Sequence, residues 1–112
     1  MPYDPGLADR LREILCEVPN LIETKMFGGI VYLLYGNMSV GVYKDLLILR
    51  VGEIGARALL KEAHVRAMDI TGRPMKGWVM VASEGIEDDD VLCRYLHLSL
   101  DFVEKLPPKG RG

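Results

Sequence analysis

Apolar residues recur at helical spacing near the start of the chain, at Leu7, Leu11, Ile14, Leu15 and Val18, and stop at Pro19. Asp4-Pro5 precedes them as an N-cap residue followed by proline at the first helical position, so the pattern predicts an amphipathic helix. The period then falls to two. From Ile22 to Phe27, Glu23 and Lys25 alternate with Ile22, Thr24 and Met26, which predicts a strand with one wet face. Gly28-Gly29 breaks the run, and Ile30 to Tyr35 is continuously apolar and rich in branched and aromatic residues, the signature of a strand covered on both faces. Gly36-Asn37 predicts a type II′ hairpin turn into Met38 to Tyr43, and Lys44-Asp45 leads to Leu46 to Val51. These four strands read as an antiparallel meander.

Beyond Val51 the pattern returns to a helix over Glu53 to Ala63, with Ile54, Ala58 and Leu59 as its apolar positions and Gly55 weakening it. Val65 to Ile70 and Gly77 to Ala82 predict a second hairpin around the turn Thr71-Gly72-Arg73-Pro74. The acidic run Asp88-Asp89-Asp90 opens a last helix whose stripe is Val91, Leu92, Tyr95, Leu96, Ser99, Phe102, Val103 and Leu106, and Pro107-Pro108 ends it. The order helix, four strands, helix, two strands, helix predicts an α+β fold of two layers, helices packed on a mostly antiparallel sheet. One domain over 1–107 and a flexible tail over 108–112 are expected.

Composition narrows the function more than it names one. With 112 residues, 49% of them hydrophobic and 27% charged, the chain is long enough for one core and too apolar for disorder. Fourteen basic against sixteen acidic residues leave a formal charge of -2, which gives no reason to expect a polyanion partner. Neither basic-aromatic interleaving nor a recognition helix is visible, so direct nucleic-acid binding is not expected. The N-terminus shows no export signal, and Phe27 to Tyr43 is too short and too interrupted to span a bilayer, so cytoplasmic residence without membrane insertion is the expectation. Cys16 and Cys93 are too few for a disulfide scaffold and are expected to face the core as free thiols.

No reactive constellation emerges from the polar residues. His64 falls at the end of the second helix, where a cation meets terminal carbonyls, and His97 sits on a solvated face with Asp90, Arg94 and Asp101. That spacing predicts local pairs of Asp90 with Arg94 and of His97 with Asp101. The Asp88–Asp90 triplet lacks the alternating ligands of a calcium loop and complements the helix dipole instead. Ser39, Ser83 and Ser99 lie in no nucleophile turn, and neither Gly28-Gly29 nor Gly72 to Gly77 has the context of a phosphate loop. Catalytic residues, metal ligands and cofactors are therefore expected to be none. Four cations, Arg50, Arg66, Arg73 and Lys76, meet at one end of the sheet if the second hairpin lies along the fourth strand, with Trp78 beside them. Such a cluster would take an acidic peptide or a phosphate by charge-assisted hydrogen bonds and stacking. The alternative is a solvated rim with Trp78 in the core.

Met26-Phe27-Gly28-Gly29, Gly36-Asn37-Met38, Arg50-Val51-Gly52 and Met68-Asp69-Ile70-Thr71-Gly72-Arg73-Pro74-Met75-Lys76-Gly77-Trp78-Val79 stand in that order and spacing. Together they resemble the N-terminal domain of the TfoX/Sxy family, named for regulators of bacterial competence. The resemblance runs from about Asp4 to Pro107. It implies a two-layer α+β fold similar to that of type III secretion chaperones, and no known catalytic residues. It also implies that the glycines at 28, 29, 72 and 77 define the fold, that Phe27 and Trp78 fill core space, and that Arg50, Arg73 and Lys76 are surface residues without a packing duty. Full-length competence regulators carry a second, helical domain, whereas this chain ends soon after Pro107-Pro108.

Three functions follow as expectations. The first is a non-enzymatic, cytoplasmic module that binds another protein, within transcriptional control, with Arg50, Arg73, Lys76 and Trp78 as its binding residues. The second is a protein or small enzyme holding an anionic metabolite on Arg50, Arg73 and Lys76. The third is a homodimer that covers the apolar sheet face left open by the helices. Peptide binding of the chaperone kind rests on fold analogy alone.

Overall fold

The structure, a computed structural model, describes residues 3–26, 28–69, 72 and 75–108. Its first helix, α1 (Pro5–Leu15), starts where the Asp4 carboxylate accepts the backbone N–H groups of Gly6 at 2.9 Å and Leu7 at 3.4 Å. Leu7, Ala8, Leu11 and Leu15 are buried, as the helical spacing requires. Four strands follow: β1 (Leu21–Met26), β2 (Gly29–Leu34), β3 (Asn37–Tyr43) and β4 (Leu46–Arg50). Then come α2 (Gly52–Leu59), β5 (Val65–Ala67), β6 (Trp78–Val81), a short 3₁₀ turn (Ser83–Ile86) and α3 (Asp89–Glu104).

The six strands form one antiparallel sheet in the order β1-β2-β3-β4-β6-β5. The predicted α+β class holds, and the meander keeps chain order as far as β4. The sheet then departs from chain order, because β6 inserts between β4 and β5 and leaves the three-residue β5 at the edge.

One sheet face carries the main core. Ile30, Tyr32, Leu34, Val40, Val42, Leu47, Leu49, Val79 and Val81 pack there against α1 and against Leu92, Tyr95, Leu96 and Val103 of α3. A smaller cluster lies on the opposite face, where Ile48, Met68 and Met80 are buried with Tyr43, Leu46, Met75 and Trp78 around them. Met68 and Met75, which lie between β5 and β6 in sequence, cover part of this face.

Several expectations change in three dimensions. The β2–β3 turn is formed by Tyr35 (φ 51°) and Gly36 (φ 84°), both left-handed, which makes it a type I′ turn one residue earlier than predicted. Asn37 is drawn into the strand because its side chain is buried and donates to the Pro107 carbonyl at 2.9 Å. Helix α2 is shorter than expected, and its buried residues are Ala56 and Leu59; Ile54 is 82% exposed. Cys16 is exposed and Cys93 half-buried, so Cys16 does not face the core. On β1 the apolar parity points away from the helices, leaving Ile22 64% exposed, while Glu23 turns toward α1. The segment Phe27, Ile70, Thr71, Arg73 and Pro74, and the tail from residue 109, lie outside the described residues, and with them the roles expected for Phe27 and Arg73.

Candidate functional site

Antiparallel pairing of β4 with β6 sets Arg50 directly opposite Trp78 at the end of the sheet. Both side chains emerge on the face away from the main core, and the Arg50 guanidinium lies 5.6 Å from the centroid of the Trp78 ring, within cation–π range. Arg50 also reaches the Met38 carbonyl at 3.4 Å, which is a weak contact. Its own carbonyl accepts the Ser99 hydroxyl at 2.8 Å, tying the end of β4 to the buried face of α3.

Lys76 arrives at the same place through the turn that opens β6. The Gly77 carbonyl accepts the backbone N–H groups of Val51 at 2.8 Å and Gly52 at 3.0 Å. Both glycines are left-handed, with φ of 81° at Gly52 and 82° at Gly77. A Cβ on Gly77 would lie 3.3 Å from the Gly52 backbone, and one on Gly52 would stand 2.5 Å from the Phe102 ring. The close approach of the two turns therefore favours glycine at 77, and the packing of Phe102 against the second turn favours it at 52. This approach brings Arg50, Gly52, Glu53, Lys76, Gly77, Trp78 and Phe102 around one hollow of about 300 Å³. An adjoining hollow of about 310 Å³ shares Glu53, Lys76, Gly77 and Trp78 and extends along α2 to Arg57 and Leu60.

Three of the four expected binding residues, Arg50, Lys76 and Trp78, thus share one groove, and Arg73 lies outside the described residues. Arg66, on β5, does not line it. Trp78 is half-buried and packs on the outer face against the cluster of Ile48, Met68 and Met80, so it does not belong to the main core. Among the described residues, the groove carries one anionic side chain, Glu53, beside Arg50, Arg57 and Lys76. Its net charge is positive and suits a carboxylate-bearing ligand, whereas Glu53 opposes a compact dianion. Glu53, Arg57 and Phe102 were not among the binding residues expected from the sequence. Glu53 and Arg57, four apart in a short helix, are its solvated face, and only the Gly52–Gly77 contact turns that face into a groove wall.

Several polar residues elsewhere tie elements of the fold together. Arg10 bonds Asp89 and the Ile86 carbonyl, each at 2.8 Å, which fixes α1 to the start of α3. Asp88 caps α3 through the Asp90 N–H at 2.8 Å, and Asp89 and Asp90 occupy the first turn, as the acidic run predicts. Arg94 pairs with Glu62 at 3.0 Å in place of Asp90, and the His97 ring meets the Cys93 carbonyl at 2.8 Å in place of Asp101. His64 follows α2 by several residues, and its carbonyl accepts the Ala82 N–H at 2.9 Å.

Two carboxylates are held below the ordinary value of 4.5: Glu23 chiefly by its hydrogen bonds from Arg12, and Glu62 chiefly by the hydrogen bond from the Tyr95 hydroxyl. Burial, followed by the bond to Glu62, pushes Tyr95 up to about 12. Among the described residues, no group of three His, Cys, Asp or Glu side chains converges to hold a metal ion, and no helix is long and apolar enough to cross a membrane.

The fold and the groove define a class: a two-layer α+β domain with an open, cationic, aromatic-lined surface site. The chain belongs to the TfoX N-terminal domain family, whose model matches residues 13–103. That match spans both faces of the sheet and the whole groove. No curated protein and no solved structure matches the chain significantly.

Proposed function

We propose that the domain is a non-enzymatic cytoplasmic interaction module, related to the competence regulators of its family, that acts by binding another protein in transcriptional control. The observation that carries this reading is the surface around α2. Ile54 is 82% exposed, more than any other large apolar side chain among the described residues, and the same helix supplies Glu53, Arg57 and Leu60 to the groove of Lys76 and Trp78. Exposed aliphatic side chains beside an arginine–aromatic pair have the make-up of a protein-binding patch, in which Trp, Tyr and Arg dominate the energy. The partner segment that fits is acidic, with an apolar residue to cover Ile54 or Leu60.

Cross-linking and affinity capture from native cells test the reading when the wild type is compared with Ile54→Asp and with Arg50→Glu/Lys76→Glu. A single protein retained by the wild type and lost by both variants supports it. Recovery of no specific protein, or equal recovery by all three, refutes it.

A second reading, a site for an anionic metabolite, is favoured by the size of the hollow bounded by Arg50, Lys76 and Phe102, about 300 Å³. A ligand at 100 times its Kd stabilises the fold by about 2.7 kcal/mol. Thermal shift against nucleotides, phosphates and carboxylic acids therefore tests it. A shift abolished by Lys76→Ala or Arg73→Ala supports the metabolite, and no shift across the panel removes it.

A further inference from the structure

Strand β1 lies at one edge of the sheet and pairs only with β2 among the described strands. Its opposite edge is six residues long, whereas the edge at β5 has three. The register shows which groups face outward. Met26 pairs with Gly29 across the hairpin, and the Asn20 carbonyl accepts the Tyr35 N–H at 3.1 Å, so the even-numbered residues of β1 direct their main chain at β2. Leu21, Glu23 and Lys25 therefore direct theirs away from the sheet.

We infer that this edge pairs with itself in a second copy of the chain, antiparallel about a two-fold axis through Thr24. In that register Glu23 lies opposite Lys25 of the second copy, and Lys25 opposite its Glu23. Both are hydrogen-bonded positions, so the two pairs give four main-chain hydrogen bonds and two cross-strand ion pairs. The two neighbouring registers that also match the main-chain groups place Glu23 against Glu23 or Lys25 against Lys25. Like charges directly opposite are destabilising, so the same two side chains that permit one register exclude the others.

The even-numbered side chains complete the fit. They stand on the face away from α1, at non-hydrogen-bonded positions where opposing side chains come closest, and the register brings the 64%-exposed Ile22 against Met26 of the second copy. Glu23 is already anchored by Arg12 at 2.9 Å and by the Tyr32 hydroxyl at 2.9 Å, so it meets the incoming lysine as a preorganised carboxylate. The result joins two six-stranded sheets edge to edge with an isologous, closed interface. An interface of one strand per copy is small, and the dimer is a weak one.

Sedimentation velocity from micromolar to millimolar protein tests the pairing, using the wild type and Lys25→Glu. The exposed Lys25 can be reversed without disturbing the core, and circular dichroism checks that the fold is kept. The wild type dimerises at the upper end of the range, and Lys25→Glu, which sets glutamate against Glu23 twice, weakens the dimer by about tenfold or more. Thr24→Cys in a Cys16→Ser/Cys93→Ser background places two sulfurs at the two-fold axis, about 4.5 Å apart at Cα, within disulfide reach. It forms a covalent dimer on mild oxidation, and Ile22→Cys in the same background does not. A wild type that stays monomeric at millimolar concentration overturns the inference, as does a dimer unaffected by Lys25→Glu or cross-linking equally well through residue 22.

Discussion

Replacing Gly52 with alanine tests the packing of Gly52 against Phe102 at the groove wall. Gly52 has φ of 81°, and an added Cβ would stand 2.5 Å from Cε1 of Phe102, far inside van der Waals contact. Left-handed backbone costs an L-residue about 1–2 kcal/mol, and moving the Phe102 ring off its rotamer costs about 1 kcal/mol more. The stiffer unfolded chain offsets roughly 0.5 kcal/mol of this. Gly52→Ala should therefore destabilise by about 2 kcal/mol, a fall in Tm of roughly 8 °C for a domain of this size. Urea unfolding of Gly52→Ala, Phe102→Ala and the double variant separates the two causes. Without the ring only the backbone strain remains, so the coupling energy should be about 1 kcal/mol and favourable to the double variant. A neutral or stabilising Gly52→Ala, or strictly additive effects, would refute the packing described for this end of the sheet.

Four further outcomes follow from the same structure. Acidification should destabilise the fold: Glu23 and Glu62 are held below their ordinary value of 4.5, so the unfolded chain takes up protons first, and stability is lost as pH falls from about 4.5 through their lower native values. Carbon-detected NMR titration of Tyr95→Phe should show the Glu62 carboxyl moving up toward 4.5 while Glu23 keeps its depressed value. Ser99→Ala, which removes the hydroxyl donating to the Arg50 carbonyl, should cost about 1–2 kcal/mol in denaturant unfolding. Leu96→Ala, at a fully buried position of α3, should cost about 2–5 kcal/mol and lower Tm more than any groove substitution.

The residues of the candidate groove were largely visible in the chain, but their arrangement was not. Arg50, Lys76 and Trp78 stood out as cations and an aromatic near glycines, each a local fact. That Arg50 faces Trp78 follows only from the insertion of β6 beside β4, a pairing between segments far apart in sequence. Glu53, Arg57 and Phe102 became groove walls through the Gly52–Gly77 approach, which carries no local signal. The pairs expected along α3 failed for a related reason: Glu62 and Cys93 offered Arg94 and His97 better partners than their helical neighbours did.

What the amino-acid order determined by itself was whatever depends on a few adjacent residues. It dictated the Asp4 and Asp88 caps, the meander from β1 to β4, the stripe of α3 and the α+β class, because caps, turns and hydrophobic periodicity act over one or two helical turns. Tertiary structure decided the remainder. It chose which strand neighbours β4, turned the apolar parity of β1 outward with Ile22 exposed, moved the β2–β3 turn onto Tyr35-Gly36 by anchoring Asn37 to Pro107, and assembled the groove. Each of those outcomes depends on contacts between residues distant in the chain, whose free energies are realised only once the sheet and its helices have closed on one another.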